Sequence, residues 1–115
     1  MRLYLASPYS HPDPAVRQER HDQACKAAAT LMVAGHQVFS PIAHSHAVGA
    51  FLPTDLLLDH SFWMAQDLPY ISHWAEEVWV LTIDGYDKSR GVARELQAAQ
   101  EYGRHVRFYS PGDKP

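Results

Sequence analysis

A run of apolar residues, Glu77-Val78-Trp79-Val80-Leu81-Thr82-Ile83, leads into Asp84-Gly85-Tyr86-Asp87-Lys88 and then Ser89-Arg90-Gly91-Val92-Ala93-Arg94-Glu95. This order predicts a buried strand, a polar loop, and a helix that opens on a serine and a glycine. In open α/β sheets, ligands bind where a strand's carboxyl end feeds a helix N-terminus. Backbone N–H groups are free there, and the helix dipole favours anions. A glutamate in the second turn of such a helix can face the crevice, so Glu95 is a candidate catalytic carboxylate.

Similar transitions recur along the chain. Residues 2–6 predict a short strand, stopped by a loop with prolines at 8, 12 and 14, which neither helix interiors nor central strands accept. Residues 15–34 carry a helical pattern, with Ala24, Ala28, Leu31 and also Cys25 and Met32 on one stripe. Gly35 is placed to end that helix in a left-handed conformation. Residues 36–40 form a second strand. Residues 41–50 match neither period and are expected to be a long ordered loop, the kind that often carries function. A helical region follows over about 55–74, kinked or restarted at Pro69. The strand at 77–83, a helix over about 90–102 and a strand at 105–109 complete the pattern. Strands alternating with helices predict an α/β three-layer sandwich with a parallel sheet of four to five strands. The expected order is the flavodoxin-like 2-1-3-4, with the loops after strands 1 and 3 facing one crevice. Residues 1–110 make a single domain, and 111–115 a flexible tail.

Totals narrow the function. A net charge of −3 argues against nucleic-acid binding through a basic face. No apolar run reaches the roughly 20 residues of a membrane span, and the N-terminus does not read as a signal peptide. Cys25 is the single cysteine, so no intrachain disulfide forms. The expectation is a cytoplasmic protein with a small-molecule or protein partner.

The crevice collects the candidate residues. On a helical wheel Glu95 lies about 60° from Val92, beside the apolar stripe of its helix. It is either a solvated glutamate or a half-buried, tunable carboxylate. Gly91 costs the helix about 1 kcal/mol against alanine, which close approach of a ligand would offset. Ser89 is an N-cap whose hydroxyl could also bind a ligand. Asp67 flanks an apolar stripe and is either a capping residue near Pro69 or a second carboxylate. Tyr4 is either a core aromatic or a hydroxyl reaching the crevice, because Tyr4, Ala6 and Pro8 share one side of their strand. Ser7, Tyr9 and Ser10 offer hydroxyls in the first loop. His44 and His46 have no third ligand at matching spacing, so no metal is expected and a base-reading or structural role is favoured for them. Rossmann, phosphate-loop and nucleophile-elbow motifs are missing.

With these motifs in order, the chain resembles the nucleoside 2-deoxyribosyltransferase superfamily over nearly its whole length. The resemblance rests on Leu3-Tyr4-Leu5-Ala6-Ser7-Pro8-Tyr9, on Gln66-Asp67-Leu68-Pro69-Tyr70-Ile71 leading into the strand at Val78, and on Ser89-Arg90-Gly91-Val92-Ala93-Arg94-Glu95. The last is similar to the Ser-x-Gly-x-x-x-Glu signature of related deoxynucleoside 5′-monophosphate N-glycosidases. The transferase subgroup has an aspartate where Ser89 stands. The resemblance implies that Glu95 attacks C1′ of the sugar, Asp67 handles the proton on the base, and Tyr4 orients Glu95. It implies that Ser89, with Ser7 or Ser10, holds the 5′ hydroxyl or phosphate. It further implies a nucleoside or nucleotide substrate, no cofactor and a homo-oligomer. The family usually continues past the last strand to complete a neighbour's site, and this sequence departs from that pattern, with only Ser110-Pro111-Gly112-Asp113-Lys114-Pro115 after the strand. The competing readings are a non-catalytic nucleotide-binding sensor or adaptor and, more remotely, a metal-dependent hydrolase using His44 and His46. Trp63, Tyr70 and Trp74 are either core residues or part of an oligomer interface.

Overall fold

A computed structural model describes all of residues 1–115. Strand β1 (Arg2–Ala6) is followed by helix α1 (Pro14–Val33), β2 (Gln37–Phe39), α2 (Pro41–Gly49) and α3 (His60–His73). Then come β3 (Glu77–Leu81), a 3-10 turn (Tyr86–Lys88), α4 (Arg90–Glu101) and β4 (His105–Tyr109). The sheet has four strands in the order β2-β1-β3-β4, and every neighbouring pair is parallel. Leu5 stands beside Trp79 and Ala6 beside Val80 in its centre.

The side-chain alternation of β1 and β3 divides the core in two, as expected for a parallel sheet covered on both faces. Leu3, Leu5, Trp79, Leu81 and Tyr109 pack against Ala27, Ala28 and Leu31 of α1. Tyr4, Ala6, Val78 and Val80 pack against Ile71 of α3 and Val92, Ala98 and Ala99 of α4. Tyr4 therefore points to the α3/α4 side, and Ser7 lies just past the strand.

Local chemistry sets the helix boundaries. The Asp13 carboxylate accepts from Ala15 N–H, with Pro14 opening α1. Gly35, at φ 102°, turns the chain back toward β2. Ser89 Oγ accepts from Val92 N–H at 3.1 Å and caps α4.

Three expectations are corrected. Residues 41–49 are helical rather than a loop: Ser40 Oγ accepts from Ala43 N–H at 3.3 Å and Pro41 starts the helix. Residues 55–59 lie outside α3, which begins after its cap Asp59, and the helix runs through Pro69 to His73 without restarting. Pro69 and Ala65 are not buried, so the carbonyl that loses its partner to proline can be solvated. Met32 is 52% exposed and outside the buried stripe, which runs through Ala24, Ala27, Ala28 and Leu31. Residues 111–115 are exposed, but Asp113 is held there: its carboxylate accepts from Ser110 N–H at 2.8 Å.

Candidate active site

A cavity of about 730 Å³ opens at the carboxyl edge of the sheet, where the segments after β1, β2 and β3 converge. Its lining includes Glu95 and Asp67, and also Ser7, Tyr9, Ser10, Ser89 and Gly91. Tyr4 lies behind this lining, fully buried in the sheet, and its hydroxyl donates to Glu95 Oε2. Three elements distant in sequence thus meet at one point: β1 through Tyr4, α3 through Asp67 and α4 through Glu95.

The two carboxyls are 4% and 5% exposed, for Glu95 and Asp67 respectively. Glu95 is more deeply buried than its wheel position suggests, because α3 packs against α4. Burial disfavours a charged carboxylate. It pushes Asp67 up to about 7 and Glu95 up to about 8, with the nearby Asp67 raising Glu95 further. The Tyr4 hydroxyl acts the other way, favouring the Glu95 anion by donating to it. The phenol itself is pushed well above its ordinary range by burial and by both acids, so it stays a donor. Two nearby acids that both hold protons near neutrality, one of them carrying a hydrogen bond that selects its anion, can share a single proton unequally.

Gly91 is open toward the cavity. A Cβ built there would meet only Ser89 Oγ at 3.7 Å and Met64 Cε at 3.8 Å, ordinary contacts. Packing within the protein therefore gives no reason for glycine at this point. Gly85 differs. Its φ is 92° and the Arg20 guanidinium occupies the space its Cβ would need. Arg20 also donates to the Ser10 carbonyl at 3.0 Å. It thereby clamps the loop after β1 to the loop after β3, and it lines the cavity.

His44 is exposed and does not line the cavity; its ring lies 6.2 Å from that of Phe39. The helical form of α2 explains this. Pro41, Ser45 and Gly49, spaced four apart, are its buried positions, and a helical turn of 100° per residue carries His44 off that face. His46 instead ties down the first loop. Its Nδ1 is 2.7 Å from the Tyr9 hydroxyl and its Nε2 is 3.1 Å from Gln18 Oε1. No group of three or more His, Cys, Asp or Glu is placed to hold a metal.

Sequence reasoning does not find Ser45, Arg20, His60 or Arg90, all of which line the cavity. The signal for Ser45 is its spacing from Pro41, readable once Ser40-Pro41 is taken as a helix start. Trp63 also lines the cavity and donates from Nε1 to the Leu57 carbonyl at 2.7 Å.

The chain, a doubly wound parallel sheet in the order 2-1-3-4, belongs to the nucleoside 2-deoxyribosyltransferase-like superfamily by its likeness to a solved structure. The chain is similar to the solved structure of a 2-deoxyribosyltransferase from the psychrotolerant bacterium Bacillus psychrosaccharolyticus. The two share 30% identity and superpose with a TM-score of 0.66, over 100% of this chain and 77% of that one. Within this class, the chain belongs to the family described as Domain of unknown function (DUF1937), which matches residues 1–111. No curated protein matches it. No helix is long and apolar enough to cross a membrane.

Proposed function

We propose that the protein cleaves or transfers the N-glycosidic bond of a nucleoside or deoxynucleotide, with Glu95 as nucleophile. The observation that carries this reading is the buried Tyr4–Glu95 hydrogen bond with Asp67 on the same cavity. The neighbour from Bacillus psychrosaccharolyticus, a 2-deoxyribosyltransferase suited to the synthesis of nucleosides, supports the general chemistry.

In the first step a Glu95 carboxylate oxygen forms a bond to C1′ as the C1′–N bond breaks. The electron pair of that bond goes to the base nitrogen, and Asp67 gives its proton to the departing base. The transition state resembles an oxocarbenium ion, and the product is a glycosyl ester of Glu95. In the second step water or another base attacks C1′, the ester oxygen leaves with its electron pair, and Asp67 takes up the attacker's proton. The Tyr4 hydroxyl favours charge on Glu95, and so favours the tautomer with the proton on Asp67 that the first step uses.

Ser89 and Gly91 stand at the N-terminus of α4, with Lys88 and Arg90 also in the lining. Exposed N–H groups and the helix dipole suit an anion there, so we assign this end to a 5′-phosphate or 5′-hydroxyl, as in the N-glycosidase version of the motif. A homo-oligomer belongs to the same proposal, and light scattering of the purified chain decides it.

The decisive experiment incubates the protein with 2′-deoxynucleosides and their 5′-monophosphates, with and without a second base, and follows release of free base. Turnover by wild type and none by Glu95→Ala is expected. Equal inactivity of both proteins across the panel, with ligand still raising the melting temperature, would replace this reading with a nucleotide-binding sensor.

A further inference from the structure

Three serines are buried in this fold, and they differ in one respect. Ser40 Oγ accepts from Ala43 N–H at 3.3 Å. Ser7 and Ser45, at 5% and 6% exposure, have hydroxyls with no hydrogen-bond partner in the protein. Both line the cavity. Buried polar groups are nearly always paired, and leaving one unpaired carries the full desolvation penalty. Two hydroxyls that face one cavity with no partner in the protein are free to pair with whatever the cavity receives.

Their position and surroundings define that group. Ser7 lies in the loop after β1, which Arg20 of α1 holds through the Ser10 carbonyl, and Ser45 is on α2, which packs on α1. The acids come from α3 and α4 on the other side of the sheet. Neither hydroxyl is paired with a cation. Lys88 and Arg90 adjoin the α4 N-terminus, and the Arg20 guanidinium is engaged with the Ser10 carbonyl. A hydroxyl both donates and accepts, which suits an uncharged partner that does the same.

We propose that Ser7 and Ser45 form a neutral polar subsite that binds an uncharged hydroxyl or carbonyl–amide edge of the substrate, with Ser45 a specificity-determining residue. The proposal rests on the nucleoside reading above. The matching group is either the hydrogen-bonding edge of the base or a sugar hydroxyl, and the ligand panel separates the two.

The test measures binding by calorimetry in the Glu95→Gln background, which stops turnover, with and without Ser45→Ala. The probes are 2′-deoxyinosine and 2′-deoxyuridine, counterparts lacking the carbonyl–amide edge of the base, and counterparts lacking the 3′-hydroxyl. Ser45→Ala is expected to weaken the intact nucleosides about tenfold, or about 1.4 kcal/mol. It is expected to leave unchanged the binding of whichever counterpart lacks the partner group. Ser45→Ala without ligand should melt at the same temperature as its parent or higher, because an unpaired hydroxyl has been removed.

Two results overturn the proposal: Ser45→Ala binding every probe like its parent, or a lower ligand-free melting temperature with equal weakening for all probes. The second would make Ser45 a structural residue. If no nucleoside or nucleotide binds or reacts with the wild-type protein, the nucleoside reading itself fails and takes this one with it. Normal binding that is indifferent to Ser45 sinks the subsite alone.

Discussion

The Tyr4 hydroxyl donates to Glu95 Oε2 from the centre of the sheet, so the strand that organises the core also holds the carboxylate that faces the cavity. Tyr4→Phe keeps the ring and removes the bond. Hydrogen bonds to charged groups contribute about 1.5–3 kcal/mol, which corresponds to roughly a 10- to 100-fold loss in kcat. Because this bond favours the Glu95 anion, its loss moves the acidic limb of the kcat profile upward. A fall in kcat with no shift of that limb would mean the tyrosine acts only by packing.

In the proposed mechanism the acid pair carries one proton, with Glu95 ionised and Asp67 protonated. Glu95 at about 8 lies above Asp67 at about 7, so the free pair holds that proton mainly on Glu95 and reacts through the minor tautomer. On these values kcat/KM should peak between about pH 7 and pH 8 and fall on both sides. Asp67→Asn removes the general acid and should lower kcat by roughly 10²–10⁴-fold for a base that leaves as an anion, as general acids contribute on this scale. An electron-poor base, which departs without a proton, should suffer less. Equal losses for both kinds of base would remove Asp67 from the acid role.

The same pair makes stability depend on pH. Both carboxyls have folded values above their ordinary ones of 3.8 and 4.5, so the folded state binds protons more tightly than the unfolded chain. Their contribution is fully present below about pH 4 and is lost as pH rises through about 7 to 8. Every tenfold gain in proton affinity on folding corresponds to about 1.4 kcal/mol of stability at low pH. The melting temperature of wild type should therefore fall between about pH 5 and pH 9, and the double change Glu95→Gln, Asp67→Asn should flatten the curve. A curve of the same slope in the double variant would refute the assignment.

Gly91→Ala separates stability from binding. The site has room for a Cβ and no positive φ, so alanine should stabilise α4 by about 0.4–1 kcal/mol. It should raise KM for a substrate carrying a 5′ group against the helix N-terminus. Denaturant melts and steady-state kinetics on one preparation read both. Improved stability with unchanged KM would place the 5′ group elsewhere.

Gly85→Ala should behave in the opposite way. At φ 92°, with Arg20 packed over it, a side chain adds backbone strain of about 1–3 kcal/mol and displaces the clamp between the two loops. A variant as stable as wild type would show that the clamp does not hold them.

How much of this is readable in the chain depends on what each segment answers to. β1, β3, β4, α1 and α4 follow their own periodicity, so Val78–Leu81 and Val92–Glu95 announce strand and helix without help from the fold. The strand order follows from the βα alternation, and with it the meeting of the Ser7 and Ser89 loops. Helix α2 is different. Its face turned inward consists of Pro41, Ser45 and Gly49, a set without an apolar stripe, and only the Ser40-Pro41 start marks it. Reading that stretch as a loop puts His44 at the crevice and hides Ser45. The Arg20 clamp is equally illegible, because its partner, Gly85, lies across the sheet edge and signals only a turn.

Neither apolar core includes a residue of α2. The acids are anchored among residues whose exchange would damage folding, while the wall that carries Ser45 is attached to the molecule largely from outside. On the proposal that Ser45 sets selectivity, reaction and selectivity answer to different constraints. A change of substrate made through this nine-residue helix would then leave the packing around Glu95 and Asp67 in place.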